Sequence, residues 1–514
     1  AAGEKRKTTA NRSSRPVRIL HREGNHSMNI LAIDVGTSSA RGILYDGEGR
    51  SQFIHPVTYS VYFPGENLVE QDPGDFDSAV AQICAAAAAW AKDRGQTVDA
   101  LSLTAQRSSI IPVDRQGEPL RPAIMWQDKR NEGIAAALRP REKEIYALTG
   151  ARINTVFSGT KMTWLRREEP EIYEKTYKIC TIADYLTLKI TGQFRTDHTY
   201  GSRSLLMNLK TRQWDRHLLD IFQVEEEKLC ELVSPGTVIG TVTEDYARRT
   251  GLAVGIPLVS AGGDQQCAAL GHGLCRPGTM EITTGTGAYM LQFIDRVPEN
   301  LGTDVICGAH SLPGKYVLET SMLTCAALYN WAGRTLGDCE DLAARNAAVE
   351  AVPPGSNGCI ALPYFQGRGT PDWNAGAFGG FLNVGLRTTP ADMTRALLES
   401  ICYEIRNNLD VLERYTAPAH TVYVGGGLTK FHTFCQIEAD VTGLPMTRNR
   451  AHAEQTSFGA WVSAAVALGI CGSAEEALKK AVADPKVYVP DGARRPVYEK
   501  QREIMNGYYG KLFL

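Results

Sequence analysis

Short apolar runs separated by glycine-bearing turns set the pattern from residue 28 onward. Asn29–Ile33, Arg41–Tyr45 and Gln52–Ser60 have the length and composition of three consecutive strands. The period then becomes helical over roughly Phe76–Lys92, which holds the alanine run Ala85–Ala89, and returns to a strand at Ala100–Thr104. Helical spacing over Lys161–Arg167 and Ala183–Thr191 predicts insertions between Lys161 and about Gln223. A strand near Ile256–Gly263 runs into Gly262-Gly263-Asp264-Gln265-Gln266 and a helix of small residues. Strand, turn and strand then restart around Gly285. Thr389-Pro390 supplies a cap and a first-position proline for a helix over Ala391–Arg414. Thr421–Val424 reads as a strand ending in Gly425-Gly426-Gly427, followed by a helix over Phe431–Val441 and a last core helix over Glu454–Leu468. The order predicts an α/β protein of two domains around a central cleft, residues 28–272 and 273–514.

Two of the turns are alike. Ile33-Asp34-Val35-Gly36-Thr37-Ser38-Ser39 and Ile282-Thr283-Thr284-Gly285-Thr286-Gly287 each follow an apolar strand and precede another. Aligning Gly36-Thr37 with Gly285-Thr286 brings the strands into register, so the chain predicts two related halves. Glycine lets backbone approach a phosphate closely, and exposed N–H groups with Thr or Ser hydroxyls donate to its oxygens. The pair of turns therefore predicts phosphoryl chemistry.

Bulk numbers narrow the partners. With 514 residues, 43% hydrophobic, 22% charged and 49 glycines, the chain has ample core for two α/β domains. Residues 1–27 carry seven Lys/Arg against two Asp/Glu, leaving 48 basic against 55 acidic residues in the rest. The first stretch is expected to be a disordered basic extension. The mildly acidic body argues against nucleic acid as a partner, and no apolar stretch is long enough for a bilayer. Twelve cysteines without a C-x-x-C pair predict buried free thiols, a reducing cytoplasm and no zinc.

Two carboxylates stand where phosphoryl transfer needs them. Asp34 ends a strand directly before the first turn, a position suited to Mg2+, with Arg41 a few residues on. Asp264 follows two glycines and suits either a helix cap or a general base, with Gln265 and Gln266 offering amides to hydroxyls. Gln106-Arg107-Ser108 follows the strand Ala100–Thr104, at the end where open α/β folds place ligands. Trp126 follows another short strand and suits a sugar-facing wall, while Gly425–Gly427 suits close approach of a nucleotide.

These residues resemble the FGGY carbohydrate kinases over nearly everything from Met28 onward. Asp34-x-Gly36-Thr37-Ser38-Ser39 is similar to the family's first phosphate motif and Gly285-Thr286-Gly287 to the second. Gly425–Gly427 with Glu454 to Gly459 is similar to the adenosine segment. Ser158-Gly159-Thr160-Lys161-Met162-x-Trp164-Leu165 resembles the first signature, with Val156 at its opening position. The resemblance implies two ribonuclease-H-like domains of the actin/hexokinase superfamily, closing over ATP and Mg2+. It implies Asp264 as catalytic base, with Asp34 and Asp264 as metal groups. Gln106, Arg107, Trp126, Asp264, Gln265 and Tyr289 would hold the substrate. Gly36, Thr37, Ser38, Ser39, Arg41, Gly285, Thr286, Gly287, Gly426 and Gly427 would hold ATP. Ser108 and Val156 stand where glycerol kinases carry Glu and Tyr, which implies a ketose or polyol larger than glycerol, as in xylulokinases. Glycerol itself, or a catalytically silent sensor of the same fold, are the alternatives. Homodimers or homotetramers are implied by the family alone.

Overall fold

A computed structural model of the chain describes residues 28–336, 341–449, 454–481 and 485–514. The basic extension inferred for residues 1–27 lies outside them. The first large sheet contains β1 (Ile30–Val35), β2 (Ser39–Tyr45), β3 (Ser51–Thr58), β4 (Ala100–Ala105), β5 (Thr237–Thr241) and β6 (Pro257–Gly263), in the order β5-β6-β4-β1-β2-β3. The second contains β7 (Thr279–Thr284), β8 (Ala288–Ile294), β9 (Ile306–Ala309), β10 (Tyr316–Met322), β11 (Thr421–Gly425), β12 (Met446–Arg448) and β13 (Lys486–Tyr488), in the order β9-β10-β8-β7-β11-β12-β13.

The two sheets share one plan. Strands β1, β2 and β3 form an antiparallel meander, and β4 and β6 lie parallel to β1 on its other side. Strands β7, β8 and β10 repeat the meander, with β11 and β12 parallel to β7. This is the α/β architecture of two mixed, ribonuclease-H-like sheets that the paired turns imply. The central strand β4 is buried at all six positions, matching its run of small and apolar residues, whereas the edge strand β3 alternates exposed and half-buried.

Helices cover both sheets. Helix α1 (Pro73–Lys92) starts at Asp72, whose side chain accepts from the Gly74 N–H, and lays Phe76, Val80, Ile83 and Ala87 on the first sheet. Helix α2 (Asp264–His272) follows β6 directly. Helix α3 (Pro390–Leu412) opens with a capping box in which Thr389 and Asp392 bond each other's backbone N–H, and it runs through the second core. Helix α4 (His432–Thr442) packs beside it, and α5 (Gln455–Ala467) crosses back to the first sheet. There Phe458 and Trp461 join Ile30, Ile43 and Tyr45, and the Trp461 indole donates to the Asp46 carbonyl at 3.2 Å.

Helix α5 is not the last core helix. Helix α6 (Arg495–Phe513) buries Tyr498, Met505 and Tyr509 in the second core. Its apolar stripe is thin and broken by Glu499, Lys500, Arg502, Glu503, Gly507 and Gly510, so the periodicity is weak in sequence. The eleven cysteines among the described residues are unpaired, and all but Cys275 are buried. No helix among the described residues is long and apolar enough to cross a membrane.

Helices α2 and α5 touch backbone to backbone. A Cβ on Gly459 would stand 1.8 Å from the Cys267 carbonyl oxygen, and one on Gly271 would stand 2.2 Å from that of Gln455. Gly459→Ala is therefore expected to destabilise by about 3 kcal/mol or more through overpacking. Gly507→Ala, with nothing within 4 Å of the added methyl, is expected to be neutral or to stabilise by up to about 1 kcal/mol. Urea unfolding of the two variants checks the contrast.

Glu438 on α4 is fully buried, and neither carboxylate oxygen has a hydrogen-bond partner among the described residues. Burial pushes its pKa up to about 8 from an ordinary 4.5. Between those values the native state keeps a proton that the unfolded chain has released, so this group lowers stability as pH rises from 5 to 8. The Glu438→Gln variant is expected to show a flatter dependence of unfolding midpoint on pH over that range than the parent chain.

Candidate active site

The first turn is held from outside by its carbonyls. Strand β1 pairs with β2 so that Asp34 faces Arg41 and Val35 faces Ala40, leaving Gly36–Ser39 to reverse the chain. The Gly36 carbonyl accepts from the Tyr59 hydroxyl at 2.6 Å and from Gln106 Nε2 at 3.1 Å. The Thr37 carbonyl accepts from Gln71 Nε2 at 2.9 Å, and its hydroxyl oxygen accepts from Trp126 Nε1 at 3.1 Å. The second turn is tied down in the same way. The N–H of Cys325 donates to the Thr286 carbonyl at 2.7 Å and that of Ala326 to the Gly285 carbonyl at 2.8 Å. A Cβ on Gly287 would stand 2.5 Å from the Met322 carbonyl oxygen. Tying carbonyls into the protein fixes each loop in a shape that can offer N–H groups to an anion.

The triple glycine lies against the second turn. Thr284 Oγ1 donates to the Gly425 carbonyl at 3.0 Å. Gly426 has φ +91°, and a Cβ there would come within 2.4 Å of the Thr284 carbonyl oxygen, so only glycine fits.

The two carboxylates sit at the ends of parallel strands separated by one strand, β4. Asp34 on β1 pairs with Thr104 on β4, which pairs with Gly262 on β6. Asp264 is the first residue of α2, with Gly263 rather than Asp264 in the capping position. A buried relay props that junction. Thr199 Oγ1 donates to Asp197 at 2.5 Å and accepts from the Gly263 N–H at 2.8 Å, while the Tyr200 hydroxyl bonds the Gly262 carbonyl at 3.0 Å. Asp264 Oδ1 lies 3.4 Å from Arg107 Nε, and Arg107 also bonds the Gln265 amide oxygen. Burial, then the charges of Asp264 and Glu454, push the Asp34 pKa up to about 7, and Arg41 offsets this only in part. Arg41 itself pairs with Glu454 at the start of α5.

Of the residues expected to hold the substrate, Arg107, Gln265 and Trp126 come from the first half and Tyr289 from the second. A Cβ on Gly263 would meet Arg107 Cδ at 2.4 Å, which explains the glycine. Trp126 and Tyr289 are 36% and 39% exposed, enough to face a ligand. Gln106 is buried on the first turn, so its amide braces Gly36. Ser108 is buried with φ +72°, and its hydroxyl lies 3.4 Å from the Arg203 carbonyl oxygen. Val156 is half-buried in a loop held by Lys161, whose Nζ donates to the Thr155 and Val156 carbonyls at 2.6 Å each.

Sequence reasoning overlooked the props Tyr59, Thr199 and Tyr200, and separately the buried ion pair between Arg203 and Glu319. The dense polar run Thr196-Asp197-His198-Thr199-Tyr200 between apolar segments was the one available signal for the relay.

Comparison with known proteins agrees with this arrangement. Residues 29–271 match the N-terminal domain of the FGGY family of carbohydrate kinases and residues 279–468 its C-terminal domain. A glycerol kinase of Koribacter versatilis (strain Ellin345) is 31% identical over 498 residues, covering 93% of this chain and 94% of that protein. Plasmodium falciparum glycerol kinase, solved with ADP, superposes with a TM-score of 0.87 at 26% identity, covering 95% of this chain and 99% of that one. Xylulose kinase from Rhodospirillum rubrum shares the fold, with a TM-score of 0.89 at 23% identity over 94% of this chain and 99% of its own. With both halves matched in order and each carrying its glycine turn, the chain belongs to the FGGY family of carbohydrate kinases.

Proposed function

We propose that the protein transfers the γ-phosphoryl group of Mg-ATP to a hydroxyl of a polyol or ketose larger than glycerol. The observation that carries this reading is Asp264 at the head of α2, 38% exposed, beside Arg107 and within electrostatic reach of Asp34 before the first glycine turn. Asp264 takes the proton of the acceptor hydroxyl as its oxygen bonds to the γ-phosphorus. The bond to the β–γ bridging oxygen breaks, and ADP leaves with that electron pair. Gly36–Ser39, Arg41, Gly285–Gly287 and the Gly426-Gly427 pair hold ATP. Arg107, Trp126, Gln265 and Tyr289 orient the acceptor, with Gln106 acting through the first turn.

Asp34 and Asp264 fit Mg2+, because Asp34 lies in a site crowded with carboxylates whose negative charge Arg41 only partly offsets. When bound, the cation neutralises charge on the phosphates. Ser108 and Val156, one buried and one half-buried, support a pocket roomier than that of a glycerol kinase. Glycerol is the second reading, favoured by the names of relatives near 30% identity.

ADP release measured with glycerol, erythritol, xylulose, ribulose and gluconate tests the reading. Asp264→Asn is expected to fold and bind nucleotide but to lose about 10²-fold or more in turnover. Near-normal turnover in that variant would place the base elsewhere. Thr286→Ala is expected to raise the KM for ATP about fivefold, the equivalent of about 1 kcal/mol for one lost neutral hydrogen bond, with acceptor KM unchanged.

A further inference from the structure

A buried carboxylate at the junction of the two halves is used by none of these roles. Glu319 lies on β10, where Leu291 faces Glu319 and Tyr289 faces Ser321 across the antiparallel pair with β8. Side chains two residues apart on a strand point to one face, so Glu319 and Tyr289 share the same face of the second sheet on neighbouring strands. Glu319 Oε2 accepts from Arg203 Nη2 at 2.6 Å, a buried pair that joins the two halves. Arg203 lies within electrostatic reach of Arg107, and its carbonyl oxygen stands 3.4 Å from the Ser108 hydroxyl. Tyr289 is in turn within reach of both Glu319 and Arg107. The pair therefore stands beside the acceptor groups.

Only one of the Glu319 oxygens is used. Among the described residues Arg203 is its sole hydrogen-bond partner. Oε1 is not one of the buried orphan atoms, and 8% of the side chain stays exposed. Arg203 holds the carboxylate in place, so little side-chain freedom is lost when Oε1 accepts from a ligand.

We propose that Glu319, fixed by Arg203 and set on the same face of the sheet as Tyr289, is a specificity-determining residue that accepts hydrogen bonds from hydroxyls at the far end of the acceptor. This rests on the kinase reading above and narrows its substrate to an uncharged polyol or ketose of four or more carbons. Glycerol is too short to use the carboxylate, and an aldonate brings its own negative charge toward Glu319. A site that offers a polar group to a substrate hydroxyl discriminates strongly against the analogue lacking it.

The test compares the parent chain, Glu319→Gln and Glu319→Asp, with glycerol, erythritol, xylitol, xylulose and gluconate as acceptors. For the parent chain, kcat/KM is expected to be at least about tenfold higher with xylulose or xylitol than with glycerol or gluconate. Glu319→Gln is expected to lower the five-carbon value by about tenfold or more through KM. Its glycerol and ATP constants should stay within about twofold. Glu319→Asp keeps the charge but withdraws Oε1, and carries the same comparison if the Gln variant does not fold. Preference of the parent chain for glycerol or gluconate overturns the proposal. So does an equal loss on every acceptor with a lowered melting temperature, the mark of a purely structural strut. Calorimetric binding of xylitol and glycerol without ATP separates the two levels. Absent turnover with Glu319-dependent binding of xylitol sinks the kinase reading and keeps this one, whereas absent turnover and absent discrimination sink both.

Discussion

The backbones of α2 and α5 meet with no side chain between them, and the site depends on that contact. Cys267 lies against Gly459 and Gly271 against Gln455, so the helices run antiparallel at a separation only glycine permits. Asp264 opens one helix and Glu454 leads into the other, and both charges act on Asp34. Any residue with a side chain at Gly459 would move α5 away from α2 and from the first sheet, and with it the Arg41–Glu454 pair. The positions of Asp264 and Glu454 are thus tied to the packing of two helices, while Asp34 is placed by strand β1.

A second theme is the use of carbonyls to shape the two glycine turns. Tyr59, Gln71 and Gln106 hold the first turn, and the N–H groups at Cys325 and Ala326 hold the second. One turn is braced by side chains from three separate segments, the other by the start of the helix after β10. Related halves thus reach the same loop by different supports. This also accounts for Gln106, whose place next to Arg107 in sequence suggests a ligand contact although its amide faces Gly36.

What the sequence displays and what it hides follow from the range of each interaction. Each glycine turn with its flanking strands, the cap at Thr389 and the glycines before Asp264 are written within about ten residues, and they are legible. Helix α6 escapes notice because its buried face consists of widely spaced Tyr and Met among charged residues and glycines. Arg203 and Glu319 are 116 positions apart, and each looks like a solvated charge until the halves meet. The relay from Asp197 to Gly263 is hidden for the same reason, since its partners come from different segments.

The return of α5 to the first sheet also bears on how the chain is made. One face of that sheet, around Ile30, Ile43 and Val259, is closed by Phe458, Trp461 and Val462, which are synthesised some two hundred residues after β6. During translation the nascent first half leaves the ribosome with an apolar face uncovered, and it stays so until almost the whole chain has emerged. The first half is therefore not a finished folding unit at the point where its own strands end.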